Sequence, residues 1–328
     1  MPPAISDVDP NEVRFFSGSS NRRLAADIAS YLDVPLGETR VSRFSNDNLY
    51  IQLGASVRSR AVFLVQSLSP PVNDHLMELL MMLDIARSAA AKEVHAIIPY
   101  FSFARSDKKD APRISITARL IADLLQTAGA THVMTMMLHS PQVHGFFSVP
   151  ADPLTARPVF KDYFSERDFS DTIVVAPDVG HIKSAARFAE DLRAPVAAGN
   201  KERLSDTHVR ITGLVGHQVQ GYHRALIYDD EIATGSSVIE LCRLLMDSGI
   251  ERVVVVCTHG VFVGEALERL TAIPQITEIV TTDTVYIPPN KRPPHLHVLS
   301  VAPIFGEAIR RNYSHRSIGD LFVFGQDE

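Results

Sequence analysis

Arg224-Ala225-Leu226-Ile227-Tyr228-Asp229-Asp230-Glu231-Ile232-Ala233-Thr234-Gly235-Ser236-Ser237 passes from a short apolar stretch through a carboxylate pair into small hydroxyl residues. The apolar part reads as a buried strand over 225–228. The hydroxyl part reads as the start of a helix over 237–247 that stops before Gly249. A β-branched run at 253–256 predicts the next strand. The same rhythm extends in both directions. A strand is expected at 62–65, and Leu76, Leu79, Leu80 and Leu83 then recur at the spacing of one helix face. Strands at 94–98, 133–137 and 172–176 alternate with helices at 115–128, which ends at Gly129, and 182–192. Such alternation predicts an α/β fold, a mostly parallel sheet flanked by helices.

The segments 60–98 and 224–256 share one strand-helix-strand order, so the chain reads as a duplication. An N-terminal domain is expected over 1–155 and a C-terminal domain over 156–304. Pro150, Pro153 and Pro158 interrupt any helix at the boundary. The tail 305–328 is expected to join the N-terminal domain. Where the second copy carries Asp229-Asp230, the first carries Val65-Gln66.

Composition sets the outer bounds. With 328 residues, 45% of them hydrophobic and 21% charged, the chain is globular. Lys and Arg number 32 against 38 Asp and Glu, a net charge of −6, which argues against a broad nucleic-acid surface. Any bound anion must be held by local charge or backbone N–H groups. The two cysteines, Cys242 and Cys257, lie in apolar stretches and read as buried thiols rather than a disulfide or zinc framework. Residues 1–13 lack a basic region followed by an apolar one, and no run of about 18 apolar residues occurs. No membrane partner is expected, and the setting expected is cytoplasmic.

Two carboxylates at the carboxyl end of a parallel strand point into the crevice where open α/β sheets bind ligands. They suit sugar hydroxyls or hydrated Mg²⁺. Thr234, Gly235, Ser236 and Ser237 then supply hydroxyls and backbone N–H groups at a helix start, a cradle for phosphate. The plainer alternative is an Asp-rich turn with Ser236 as N-cap.

An acidic pair, three spacer residues and Thr-Gly-x-Ser resemble the ribose-5-phosphate loop of type I phosphoribosyltransferases and phosphoribosyl pyrophosphate synthetases. Over residues 13–324 the chain resembles the ribose-phosphate pyrophosphokinase family. The motifs that carry this include Phe15-Phe16-Ser17-Gly18-Ser19-Ser20, Arg43-Phe44-Ser45-Asn46, Pro99-Tyr100-Phe101-Ser102-Phe103-Ala104-Arg105, Leu138-His139, Pro177-Asp178-Val179-Gly180 and Cys257-Thr258-His259-Gly260. The resemblance implies two tandem type I phosphoribosyltransferase-like domains, homodimers assembling to hexamers, and Mg²⁺-dependent transfer of pyrophosphate from ATP to O1 of ribose 5-phosphate.

It also implies roles. Asp229, Asp230, Ala233, Thr234, Gly235, Ser236 and Ser237 would bind the sugar phosphate. His139 and Asp178 would hold the metal, although a lone His is more often structural. Arg105, Ser106 and Asp110 would meet the nucleotide phosphates. Phe44, Asn46 and Asn48 would meet the base from a neighbouring subunit, the alternative being a core Phe and a turn Asn. Lys201 and Arg203 match the basic pair of a mobile flap and, with Arg105 and His139, would act in catalysis. By composition alone that segment is a surface loop.

Departures from the family pattern fall at these positions. Ala233 stands where an Asp is usual, Ser106 for Gln, Asn48 for Glu, and Met137 for the Asp before Leu138-His139; Glu202 interrupts a basic run. They leave the nucleotide donor open between ATP and another nucleotide. They also leave two other readings, a weak or inactive subunit regulating an active synthetase and a phosphoribosyltransferase. Arg310 to Gly319 resembles part of the family's site for phosphate activation and ADP inhibition, with Ser300-Val301-Ala302-Pro303 departing nearby.

Overall fold

A computed structural model describes residues 8–203 and 209–322, the side chains of 201–212 excepted. The chain divides into two compact units. The first holds the described residues up to Thr155, with Thr284–Tyr286 and the segment from Ser300 onward; the second holds Ala156–Asp283 and Ile287–Leu299.

Unit 1 contains β1 (Val13–Ser17), α1 (Arg22–Tyr31), β2 (Leu36–Gly37), β3 (Thr39–Arg43), β4 (Leu49–Leu53), β5 (Ala61–Val65), α2 (Val72–Ser88), β6 (Glu93–Ile98), α3 (Thr117–Ala128), β7 (His132–Met136) and β8 (Ala151–Leu154). Six strands form one all-parallel sheet in the order β2-β1-β5-β6-β7-β8. Every residue of β5 is buried, as a parallel strand covered on both faces requires. Alternation then sorts the side chains. Val62 and Leu64 join Phe16, Val94 and Ala96 against Leu79 and Leu83 of α2 and Ile121 and Leu125 of α3. Phe63 points the other way and stacks on Phe15 at 5.8 Å between ring centroids.

Unit 2 contains α4 (Arg157–Phe164), β9 (Thr172–Ala176), α5 (Ile182–Leu192), β10 (Val196–Arg203), β11 (Val209–Gly216), β12 (Arg224–Ile232), α6 (Ser236–Asp247), β13 (Arg252–Gly260), α7 (Ala266–Thr271), β14 (Ile276–Thr282) and β15 (Leu296–Leu299). Its sheet runs β11-β10-β9-β12-β13-β14-β15, parallel except for the β10–β11 pair. One face packs Ile227, Val253 and Val255 against Val238, Leu241 and Cys242 of α6. The other stacks Tyr228 on Phe188 of α5 at 4.6 Å. Cys242 and Cys257 are free, buried thiols, and burial pushes Cys242 up to about 12. The last helix, α8 (Ala302–Tyr313), belongs to unit 1, where a Cβ on Gly306 would fall 2.2 Å from the Tyr31 ring of α1. Glycine is what lets those two helices approach.

Without β11, the second sheet reads β10-β9-β12-β13-β14-β15. That is the pattern of β2-β1-β5-β6-β7-β8 element for element, and β5 answers to β12. The α/β class expected from the alternation is therefore the observed one. Three local expectations are corrected. β12 does not stop at Tyr228 but continues through the acidic residues to Ile232, because β13 pairs with it as far as Gly260. α6 starts at Ser236, one residue early. The polar segment 199–203, read as a surface loop, forms the end of β10 and pairs antiparallel with β11.

Candidate functional site

The extension of β12 buries three consecutive acidic residues, with Asp229 9%, Asp230 3% and Glu231 8% exposed. Successive residues of a strand point to opposite faces, so the pair does not act as one chelate by default. The two remain close: the Asp230 backbone N–H donates to Asp229 Oδ1 at 2.9 Å. Burial, then the negative charge of Asp230, pushes the Asp229 carboxyl well above the usual carboxylate range. A buried acidic cluster of this kind calls for a cation.

One nearby cation is a side chain that the sequence reading did not single out. After β9 the chain enters a short 3₁₀ turn, Val179–His181, with Asp178 as its N-cap. The Asp178 carboxylate accepts from the His181 backbone N–H at 3.3 Å and faces His181 Nδ1 at 3.0 Å. The other ring nitrogen, Nε2, lies 3.4 Å from Asp230 Oδ1. Burial pulls the imidazole down, but hydrogen bonds to Asp178 and Asp230 and the charges of Asp230 and Asp229 outweigh it and raise it to about 11. The available signal was spacing: His181 follows Asp178 by three residues at the start of a turn, where i and i+3 side chains meet.

Past Ile232 the chain turns through Ala233, Thr234 and Gly235 into α6. Gly235 has φ +75°, and a Cβ there would also meet Leu270 at 3.3 Å, so a side chain is disfavoured twice. Gly235, not Ser236, occupies the N-cap position, and no side chain caps α6. This corrects the N-cap alternative for Ser236, which is the first helical residue instead. Its hydroxyl accepts from that of Thr234 at 3.2 Å. The loop backbone is anchored from the far side: Val263 N–H donates to the Ala233 carbonyl at 3.0 Å and Arg269 to that of Thr234 at 3.3 Å. Ser237 is half-buried in the first turn. Uncapped first-turn N–H groups with hydroxyls beside them are chemically suited to a phosphate.

In unit 1, Phe44, Asn46 and Asn48 share one turn, the connection of the β3–β4 hairpin. Phe44 is 57% exposed, so it is not a core residue. The turn is closed by Phe44 N–H to the Asn48 carbonyl at 2.9 Å, while Asn46 Oδ1 accepts from Asn48 N–H at 3.3 Å. Arg43 ties the hairpin to α2 through Asp74 at 2.8 Å. Arg105 ends the 3₁₀ turn Ser102–Arg105 and is exposed, as is Asp110. The Ser106 carbonyl accepts from Ala118 N–H at 3.2 Å, in the first turn of α3. Met137, with φ +45°, turns the chain out of β7 so that half-buried His139 follows the strand end. Lys201 pairs with Ile211 and Arg203 with Val209 along the β10–β11 ladder, and their side chains lie outside the described residues. Unit 2 thus collects Asp178, Asp229, Asp230 and the loop 233–237. Unit 1 carries the aromatic turn, the Arg105 segment and His139.

Comparison with known proteins reaches both units. Residues 13–129 match the N-terminal domain of ribose phosphate pyrophosphokinase, and residues 207–323 match a phosphoribosyl synthetase-associated domain. A Streptomyces coelicolor relative is 50% identical over 311 residues, 95% of this chain and 98% of its own. The ribose-phosphate pyrophosphokinase of Deinococcus radiodurans is 48% identical over 313 residues, 94% of this chain and 97% of its own. A crystal structure of phosphoribosylpyrophosphate synthetase from Mycobacterium smegmatis superposes with a TM-score of 0.86 at 35% identity, covering 93% of this chain and 99% of that one. Near-complete coverage in both directions, with both units included, means that the chain belongs to the ribose-phosphate pyrophosphokinase family.

Proposed function

We propose that this chain transfers the β,γ-pyrophosphoryl group of ATP to O1 of ribose 5-phosphate, giving phosphoribosyl pyrophosphate and AMP. The observation that carries the reading is the run from buried Asp229-Asp230 at the end of β12 to the uncapped start of α6. It offers carboxylate acceptors for ribose hydroxyls and, four to eight residues on, N–H and hydroxyl donors for the 5-phosphate. In the reaction O1 attacks the β-phosphorus, the bond from Pβ to the oxygen bridging it to Pα breaks, AMP leaves, and the hydroxyl proton passes to solvent. Asp229 and Asp230 orient the sugar, so that O1 is held for in-line attack rather than found by chance. Arg105 in unit 1, with Lys201 and Arg203 at the end of β10, supplies positive charge to the transferring oxygens. Phe44, Asn46 and Asn48 receive the adenine, with the exposed ring as a stacking face. Such a ring displayed at a hairpin tip suits a base bound by a second copy, which fits a homodimer building to a hexamer. Ser106 and Asp110 flank the phosphates.

The donor set fits Mg²⁺. Buried carboxylates at Asp230 and Asp229 and the carboxylate of Asp178 are hard oxygen donors that a divalent cation would balance, and His139 is a further candidate ligand. When bound, the ion supplies charge neutralisation for the nucleotide phosphates. The test is incubation of purified protein with ribose 5-phosphate, Mg²⁺ and a panel of nucleoside triphosphates and diphosphates, followed by assay for phosphoribosyl pyrophosphate. ATP-dependent product is expected. No product with any donor overturns the reading, and product with a donor other than ATP assigns the change to Asn48 and Ser106.

A further inference from the structure

The sugar-phosphate loop is held along its back by one segment, the chain from the end of β13 through α7. The Ile232 carbonyl accepts from the N–H groups of Val261 and Phe262 at 3.0 Å, and the Ala233 carbonyl accepts from Val263 N–H at 3.0 Å. The Thr234 carbonyl accepts from the Arg269 guanidinium at 3.3 Å. Three successive carbonyls are thus turned toward residues 261–269. A trans peptide is planar, with its carbonyl and its N–H opposed, so the N–H groups of Thr234 and Gly235 are turned away from that segment. Neither meets an acceptor among the described residues. Successive N–H groups left open in this way form an anion-binding nest.

The third carbonyl differs from the first two in being held by a side chain. It also belongs to the peptide that most needs holding. Gly235 has φ +75° and ψ −1°, as at the third position of a type II turn. Turning the Thr234–Gly235 peptide over gives a type I turn, with this residue at φ about −90°, which glycine adopts as readily. The Gly235 N–H would then point back at α7. Arg269 is exposed, and its guanidinium pairs with no carboxylate among the described residues, although Glu265 lies one turn earlier.

We propose that Arg269 is a positioning residue for the 5-phosphate: its bond to the Thr234 carbonyl fixes the Thr234–Gly235 peptide with the Gly235 N–H turned to the phosphate. The inference rests on the reading that this loop binds the 5-phosphate. A guanidinium makes the bond charge-assisted, so it holds the peptide more firmly than a neutral donor would. Arg269 acts through the loop backbone and not on the reacting atoms.

The experiment combines calorimetric titration of the full chain with ribose 5-phosphate and steady-state kinetics. Arg269→Ala should weaken ribose 5-phosphate binding and raise its KM by about tenfold or more, as for loss of one hydrogen bond to a charged group. The KM for ATP, kcat and the urea midpoint should stay close to wild type. Arg269→Lys, which keeps a charged donor, should recover most of the affinity. In chain labelled with ¹⁵N-glycine, ribose 5-phosphate should move the Gly235 amide proton downfield in the wild type and less in Arg269→Ala. The wild-type spectrum needs no variant. Unchanged affinity in Arg269→Ala, a Lys variant no better than Ala, or a Gly235 amide that does not respond would each overturn the inference while leaving the proposed reaction standing. A wild-type chain that fails to bind ribose 5-phosphate would refute the reading of the loop and the inference with it.

Discussion

His95 is a buried imidazole to which no role is assigned above. Phe63 stacks on it at 4.4 Å, its Nδ1 is 3.0 Å from Nδ1 of His132, and His132 Nε2 is 2.7 Å from Asp152 Oδ2. Burial, with the charge of His132 adding to it, lowers the ring from 6.5 to about 3. The folded chain therefore holds His95 neutral in a range where the unfolded chain protonates it. Because the unfolded state binds more protons between pH 6.5 and 3, stability falls as pH drops through that window. Urea unfolding at pH 7 and pH 5 should show the effect. His95→Gln should shrink the stability difference between the two pH values by about 2 kcal/mol. The same pH dependence in both proteins would sink the assignment. Lys201 and Arg203 pose a catalytic test at the same scale. Alanine at either should cut kcat by about 10²-fold, as for loss of one group that stabilises transition-state charge. Circular dichroism should be unchanged, and an unaltered kcat would remove both from the mechanism.

Elements differ in how firmly they are held. β5 lies between β1 and β6 with every side chain buried, whereas β3 and β4 pair only with each other. Two-stranded hairpins are marginal without a face to pack on, and this one rests on α2 through Ile51 and the Arg43–Asp74 ion pair. Exposed ion pairs contribute about 0–1 kcal/mol. Hydrogen exchange should thus be faster by orders of magnitude in Thr39–Arg43 and Leu49–Leu53 than in Ala61–Val65. Equal protection would mean that the hairpin is held by more than these contacts. The loop into α6 is the opposite case, with its backbone fixed by Val263 and Arg269 and its turn by a left-handed Gly235. Gly235→Ala should cost about 1–3 kcal/mol in urea unfolding and weaken ribose 5-phosphate binding. Unchanged stability would show that the turn tolerates a side chain.

At the scale of the whole molecule, the two units repeat one strand order yet differ at the same place. Unit 2 ends its β12 strand in a buried acidic pair. Unit 1 ends β5 at Val65 and follows with Gln66, whose side chain accepts from Ser20 N–H at 3.1 Å and donates to Glu78 at 2.8 Å. Glu78 also accepts from Ser19 N–H at 2.9 Å. The first unit has thus filled its strand end with its own side chains. Calorimetric titration should find one ribose 5-phosphate per chain, lost in Asp230→Asn; two sites per chain would contradict this. The alternation of β-branched runs with helical spacing, the repeat, and the Asp-Asp to Thr-Gly-Ser-Ser run were legible in the sequence, because periodicity and local hydrogen-bonding needs are written residue by residue. Left unread were the reach of β12 through its acidic residues, the pairing of 199–203 with β11 and the place of His181. Each of these depends on which distant strand or turn supplies a partner. A strand runs as far as its neighbour β13 does, and a histidine becomes the cation between two carboxylates only where folding brings Asp178 and Asp230, 52 positions apart in the sequence, to its two ring nitrogens.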